Sequence, residues 1–330
     1  MQDFLDLINS IEEGSVVKKE KVLLIDGLNL FFRNFAAVDT VNLNGVHIGG
    51  MAGFLNSLGS LITKHEPTEV LVFFDGPDST SRKKRILPSY KKGRSTHRIT
   101  NSKLYRNPEK EHAAKLDQLS RVMVYLKMLP VKTVIISGIE ADDAIGYAVK
   151  SITKDCVIVS SDKDFLQLVS DKVSVYRPIE KLMYTPSVIK EKYNIVPQNF
   201  ILYKAIVGDK SDNVDGIAGV GPKGVVKLFP EIVERVLTLD DIITICGEKM
   251  EEKPVYSRIV LSEGQVSKEY QVMDLINPMI NSLHKDEIDT ILNSETPELD
   301  KKSFIMLADK DYIYQVIRNV NRFLQKFEVL

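Results

Sequence analysis

The chain has 330 residues, 44% hydrophobic and 27% charged, which is ordinary for a globular protein and enough for one large α/β domain with a helical extension. Its two cysteines, Cys156 and Cys246, stand far apart in no metal-binding spacing, which argues against a disulfide framework or a cysteine–zinc site and for a reducing, cytoplasmic setting. The net charge of −1 conceals an asymmetry: residues 82–115 hold twelve Lys/Arg against Glu109 and Glu111, so this segment is +10 and the remainder −11. Such a block reads as a polyanion-binding patch or a solvated loop, and a mobile basic arm that orders on nucleic acid satisfies both. The start of the chain is acidic and lacks the basic region of a secretory signal, and no apolar run approaches a membrane span.

Residues 3–13 are the first expected element, an amphipathic helix with Phe4, Ile8 and Ile11 at helical spacing. Four short apolar runs follow, at 22–25, 70–74, 134–136 and 157–159, separated by helix-like stretches at 51–64, 113–128 and 142–151. Apolar runs without polar alternation, interleaved with helices, predict a parallel sheet buried on both faces. Residues 173–176 and 181–184 read as an edge hairpin, and 186–229 as helix, glycine-rich turn, helix. Beyond residue 230 the pattern is mainly helical, without internal repeats.

Acid follows each strand closely. The first runs into Asp26 (LLIDGLN), the second into Asp75 (VFFDGP), the third leads to Glu140, Asp142 and Asp143 (SGIEADDAIG), and the fourth to Asp162 and Asp164 (VSSDKDF). In an open parallel sheet the carboxyl ends of the strands share one edge, where ligands bind, so these acids converge without contact in sequence. A further pair, Asp209 and Asp212, opens the glycine-rich turn. Two carboxylates about 4 Å apart repel by ~4 kcal/mol at an effective dielectric near 20, so the cluster must bind protons or cations. Oxygen-only ligands favour Mg²⁺ or Mn²⁺, and two such ions would serve phosphodiester hydrolysis. Any one of these acids alone is more simply a helix cap or a first-turn acid; four successive strand ends carrying acid favour catalysis.

In the turn GDKSDNVDGIAGVGPKGVVKLF, Gly216, Gly219 and Gly221 permit tight backbone, and Pro222 suits the first position of a helix. The amides of residues 219–221 make a sequence-independent phosphate site, with Lys223 and Lys227 adding charge. The plainer reading is a hairpin used for packing.

Together IDGLN, FFDG, EADDAIG, SSDKDF and GDKSDNVDGIAGVGPKG resemble the ordered motifs of the 5′-nuclease (flap endonuclease) family, which includes phage 5′-exonucleases and the 5′-nuclease domain of bacterial DNA polymerase. The motifs span residues 22–229, and the N-terminal helix, chain length and helical tail resemble the ribonuclease H of T-even-type phages most. The resemblance implies an α/β, PIN-like parallel-sheet domain over 1–185 with a basic arch at 82–115. It also implies a helical region over 186–330 containing a helix–three-turn–helix at about 198–229. Asp26, Asp75, Glu140 and Asp142, with Asp143 beside them, match a first metal group. Asp162, Asp164, Asp209 and Asp212 match a second. Two Mg²⁺ ions are implied, with Mn²⁺ as substitute, and K⁺ at the helix–three-turn–helix. Tyr90 would stack on a base, Lys91 and Arg94 would contact the scissile phosphate, and Arg82, Lys83, Lys84, Arg85 and Lys92 would line the arch base.

The expected activity is 5′→3′ hydrolysis of RNA or DNA annealed to a template, and of 5′ flaps, by a monomer that removes lagging-strand primers. Expected partners are branched or nicked DNA, RNA/DNA duplex, a sliding clamp and a single-strand-binding protein, and no membrane. A PIN-class single-strand ribonuclease is one rival, against which the duplex-binding turn argues. A non-catalytic binder of DNA branches is another, against which the complete acidic set argues.

Overall fold

The computed structural model describes residues 20–92, 98–209 and 214–330. The expected helix at 3–13 lies outside the described residues. Strands β1 (Lys21–Asp26), β2 (Glu69–Asp75), β3 (Lys132–Ile136), β4 (Asp155–Val159) and β5 (Val173–Arg177) are parallel, and β6 (Leu182–Tyr184) runs antiparallel to β5 at the edge. The sheet order is β3-β2-β1-β4-β5-β6. All the apolar runs noted above are strands, because they are bounded by turn residues and too short for helices.

Helices α1 (Gly27–Ala37) and α2 (Gly49–His65) connect β1 to β2. A short α3 (Ser81–Ile86) and the long α4 (Pro108–Leu126) lie between β2 and β3, and α5 (Ala141–Ser151) connects β3 to β4. Asn107 caps α4 by accepting from the Glu109 and Lys110 amides, and Pro108 fills its first position. After the sheet come α6 (Pro186–Tyr193), α7 (Phe200–Val207), α8 (Pro222–Leu228), α9 (Leu239–Glu248), α10 (Pro254–Leu261), α11 (Glu263–Met273), α12 (Ser282–Leu292), α13 (Lys301–Asp311) and α14 (Val320–Gln325).

Alternate strand residues face two cores. Val22, Leu24, Leu71 and Phe73 enter one, shared with α5 and with the helices from α6 to α12. Leu23, Ile25, Val70, Val72 and Phe74 enter the other, shared with α1, α2 and α4 and, from the far end of the chain, with Phe304, Phe323 and Phe327 of the α13–α14 region. Both cores therefore draw on residues before and after 185. Helix α12 also ties to the sheet and to α5: Lys132 Nζ donates to Leu292 O at 2.8 Å and Tyr147 OH to Asp289 at 2.7 Å. No helix among the described residues is long and apolar enough to cross a membrane.

Candidate metal and nucleic-acid site

The acid-bearing strands are neighbours in the sheet, so their carboxyl ends meet at one edge. Asp26 ends β1 and caps α1, accepting from the Asn29 amide at 3.0 Å and from Ser160 Oγ at 2.9 Å. It is thus both a helix cap and a member of the acidic edge. Burial pushes its carboxyl up to about 7 despite these donors, and the negative charges of Asp162 and Asp75 push the same way. Asp75 ends β2 and accepts from the Ala141 amide at 2.8 Å, which locks β2 to the start of α5. Its carboxyl is raised, first by desolvation and then by Asp142 and Glu140.

Glu140, Asp142 and Asp143 sit at the start of α5 with oxygens that lie within 4.8 Å of one another. Lys83 enters this group, its Nζ 2.9 Å from Glu140, 3.0 Å from Asp143 and 3.4 Å from Asp142. Burial pushes Asp142 up, but the charges of Lys83 and Lys91 more than offset that, so it is held below the usual carboxylate range. Burial raises Asp143 to about 7 despite Lys83, and its Oδ1 is buried without a hydrogen-bond partner among the described residues. An orphaned carboxylate oxygen beside further oxygen donors suits a hard cation.

The second group gathers around Lys204. Asp162 is exposed, and its Oδ1 accepts from the Asp164 amide at 3.0 Å. Asp164, 7% exposed, pairs with Lys204 Nζ, which also lies 2.6 Å from Asp209. Asp209 closes a two-residue bridge with Val214, exchanging bonds of 2.8 and 2.9 Å. Asp212 lies outside the described residues. The sequence reading missed Ser160, Asn29 and Lys204. Asn29 Oδ1 accepts from the Ser161 amide and so pins the loop after β4 to α1. A local signal existed for Lys204: it is the one charge in FILYKAIV, and a charge inside an apolar helix must find a partner.

The basic segment differs from a uniform arch. Lys83 was expected on nucleic acid, but it is 2% exposed and faces carboxylates, because its position on α3 directs it inward against the start of α5. Tyr90 was expected to stack on a base. Its ring is 3% exposed and its hydroxyl donates to Glu140 at 3.0 Å, which gives a buried phenol its required acceptor. Lys91 is partly buried in a left-handed conformation (φ 52°) and also binds Glu140. Burial disfavours its ammonium, but Asp142 and Glu140 outweigh this and raise its pKa. Arg82 is half-buried and donates to Met279 O at 3.4 Å, whereas Lys84, Arg85 and Lys92 are exposed. Arg94 lies outside the described residues. Residues 98–107 form no helix and are tied down: the Asn101 side chain donates to Phe35 O at 3.0 Å, and Tyr105 stacks on Phe35 at 5.7 Å.

At the glycine-rich turn, Gly208 and Gly216 have φ of 90° and 67°, and a Cβ on Gly216 would lie 2.3 Å from the Gly208 nitrogen. Only glycine tolerates both the backbone and the approach. Gly219 has φ 84°, and Gly221 caps α8 with Pro222 as its first residue. Gly221, Lys223 and Lys227 are exposed on this side of the molecule.

Residues 21–194 match the model of the 5′-3′ exonuclease N-terminal, resolvase-like domain. A 5′-3′ exonuclease of Aquifex aeolicus is 34% identical over 220 residues, covering 65% of this chain and 71% of that protein. DNA polymerase I of Bacillus subtilis is 31% identical over 246 residues, 72% of this chain but only 26% of the polymerase, so the chain corresponds to about a quarter of that relative. The crystal structure of the T5 D15 protein co-crystallised with metal ions superimposes with a TM-score of 0.67 at 22% identity, covering 83% of this chain and 98% of that one. That likeness shows a shared fold.

Proposed function

Because the chain belongs to the 5′-3′ exonuclease family with a resolvase-like N-terminal domain, we propose that it is a divalent-metal-dependent 5′ nuclease. In this reading it hydrolyses phosphodiester bonds near the 5′ ends of RNA or DNA annealed to a template, and at 5′ flaps. The observation that carries the reading is the convergence of carboxylates from the ends of β1 to β4 on one edge, with Asp26 and Asp143 both raised to about 7. Such a set is poised to bind cations and costly without them.

Two Mg²⁺ ions, with Mn²⁺ able to substitute, are the cations proposed. Asp26, Asp75, Glu140, Asp142 and Asp143 would hold one, and Asp162, Asp164, Asp209 and Asp212 the other. Bound there, they would polarise the phosphate and lower the pKa of the attacking water. The protein's own groups do the rest. Asn29 and Ser160 orient Asp26, the Ala141 amide orients Asp75, and Tyr90 and Lys91 fix Glu140. Lys91, freed from Glu140, and Arg94 would then face the scissile phosphate. Exposed Lys84, Arg85 and Lys92 would guide the strand, and Gly219, Gly221, Lys223 and Lys227 would grip the duplex backbone, with K⁺ beside that turn.

At the level of the cell we place a monomer of this protein in the cytoplasm, removing lagging-strand primers alongside a sliding clamp and a single-strand-binding protein. The T5 flap endonuclease, solved in complex with DNA and metal ions, supports DNA as the substrate class. The test is direct. A 5′-labelled flap on a DNA duplex, and the same with an RNA flap strand, should be cut near the branch in Mg²⁺ and left intact in excess EDTA. Cleavage that persists in EDTA, or a protein that binds the flap but never cuts it in Mg²⁺ or Mn²⁺, would overturn the proposal.

A further inference from the structure

We infer that Arg177, the last residue of β5, is a positioning residue for the acidic edge: it fixes the peptide unit that carries Asp162, and through it the direction of that carboxylate. The inference deepens the metal-dependent reading and rests on it. Arg177 is 7% exposed and belongs to none of the acid-bearing motifs. Tyr176 pairs with Val159, so Arg177 stands one residue beyond the end of β4, beside the loop that leads to Asp162. Its Nη2 donates to Ser161 O at 2.7 Å. That oxygen and the Asp162 amide are the two ends of one planar peptide unit. The amide donates to Ser160 Oγ at 3.0 Å, and the same hydroxyl donates to Asp26 at 2.9 Å. Asn29 Oδ1 accepts from the preceding amide, that of Ser161, at 3.0 Å. The peptide therefore cannot flip without breaking hydrogen bonds at both of its ends. The Cα–Cβ bond of Asp162 takes a fixed direction relative to Asp26.

Arg177 acts here as a directed donor rather than as a counter-ion. Its Nη1 is paired with Glu180, and its Cζ lies 5.6 Å from the centre of the Tyr184 ring. Buried Tyr184 donates to Glu180 at 2.5 Å, and Lys192 donates to the Tyr184 hydroxyl at 3.0 Å. The β5–β6 hairpin thus seats the guanidinium, whose planar fork sends one nitrogen to Glu180 and the other to the loop. Asp162 itself is exposed, and its Oδ1 accepts from the Asp164 amide within its own turn. The hold on its backbone from outside that turn comes through the peptide that Arg177 binds. A metal ligand carried on a loose peptide binds its ion more weakly, because binding must first order the loop.

The experiment compares wild type, Arg177→Met and Arg177→Lys as full chains. It reads exchange of the Asp162 amide with solvent by nuclear magnetic resonance in EDTA, and Mn²⁺ binding by calorimetry. Arg177→Met should speed exchange at Asp162 while the amides of β1 keep theirs, a local change that general loss of stability would not give. It should also weaken one step of Mn²⁺ binding by roughly 10–100-fold, the usual loss for a residue that orients a metal ligand. Arg177→Lys, which offers a donor without the planar fork, should show both changes to a smaller degree. Exchange at Asp162 that stays at the wild-type rate in Arg177→Met, or Mn²⁺ binding that does not change, overturns the inference. Glu180 is exposed and keeps Tyr184 and Lys192, so the substitutions strand no buried charge. If Arg177→Met does not fold, Arg177→Lys must show the same two changes. Failure of both to fold overturns the inference, because Arg177 would then be a structural ion pair. A wild type that binds no Mn²⁺ counts against the metal reading instead, and exchange at Asp162 alone then decides whether Arg177 orients it. Flaps left uncut with Mn²⁺ bound count against the nuclease reading only.

Discussion

Asp75 differs from most of its acidic neighbours in being exposed, while Glu140, Asp143 and Asp164 are buried and committed to lysines. Asp75→Asn keeps the bond from the Ala141 amide within reach of its side-chain oxygen and removes only charge. We expect it to fold and bind a flap normally but to cleave at least ~100-fold more slowly, beyond the usual loss for a residue that merely orients a metal ligand. Rapid-quench single-turnover rates in Mg²⁺ would measure this, and near-normal turnover would remove Asp75 from the metal group. Asp26 supplies a pH prediction. Its folded-state value, about 7, lies above its ordinary 3.8. The unfolded chain therefore ionises first, and the stability contributed by protonated Asp26 is complete below about pH 4 and lost as pH rises to 7. In EDTA the wild-type Tm should fall between pH 5 and 8 by at least about 2–4 °C, the change for ~1 kcal/mol in a domain of ~200 residues. Mg²⁺ should restore it, and Asp26→Asn should flatten the slope.

At the scale of elements, α3 and α8 are both basic but occupy different surroundings. Lys91, following α3, is bound to Glu140 at the acidic edge, whereas Lys223 on α8 is exposed. An interaction made in the transition state alters the rate when removed, while one made equally in ground and transition states alters binding. Lys91→Ala should therefore slow single-turnover cleavage strongly with little change in Kd. Lys223→Ala should weaken binding across sequences and reduce the salt slope of log K by about one unit. Titrations in Ca²⁺ followed by quench-flow in Mg²⁺ separate the two; if both variants lose affinity alone, Lys91 is only a grip. The strands and their acids were legible in the sequence because apolar runs end in turn residues, and a parallel sheet forces their carboxyl ends together. The fate of the lysines was not. Lys83 meets acids about sixty residues away and Lys204 one forty residues away, and no local spacing encodes those meetings. A count of +10 over the basic segment says nothing about which charges turn inward.

For the whole molecule, the end of the chain matters to the sheet that begins it. Phe304, Ile313, Phe323 and Phe327 are buried in the same core as Leu23, Ile25, Val70 and Val72, where Phe304 meets Tyr125 of α4 edge-on, Phe323 approaches Gly59 of α2, and Phe304 stacks on Phe323 at 5.5 Å. Burying each such side chain contributes about 1.5–3 kcal/mol, so four approach the whole stability of a typical domain, ~5–15 kcal/mol. A chain truncated after residue 300 should lose cooperative unfolding by circular dichroism and accumulate in the insoluble fraction, although no acid of the site is touched. A truncated protein with the parent Tm would show that α13 and α14 are appended rather than integral. The helical tail was visible in the sequence as helix and no more, because its docking face is defined only by the helices α2 and α4 it packs on.

The register of the strands also shapes what can enter. Asp26 lies opposite Phe73, so Asp75 sits two residues farther along its strand. Ile25 lies opposite Val159, the last residue of β4, so the loop that carries Asp162 begins level with Asp26 on the other flank. At about 3.3 Å per residue the β1 carboxylate is set back by ~7 Å from Asp75, between β2 and the β4 loop, which lie two strand spacings, ~10 Å, apart. The edge is a notch rather than a shelf. A base-paired duplex is wider than its own ~12 Å major groove, so it can rest on the rim of such a notch but not descend. An unpaired strand is slender enough to bring a phosphate to the floor, so in the proposed reaction the notch would favour frayed ends over paired ones by width before any charge is read.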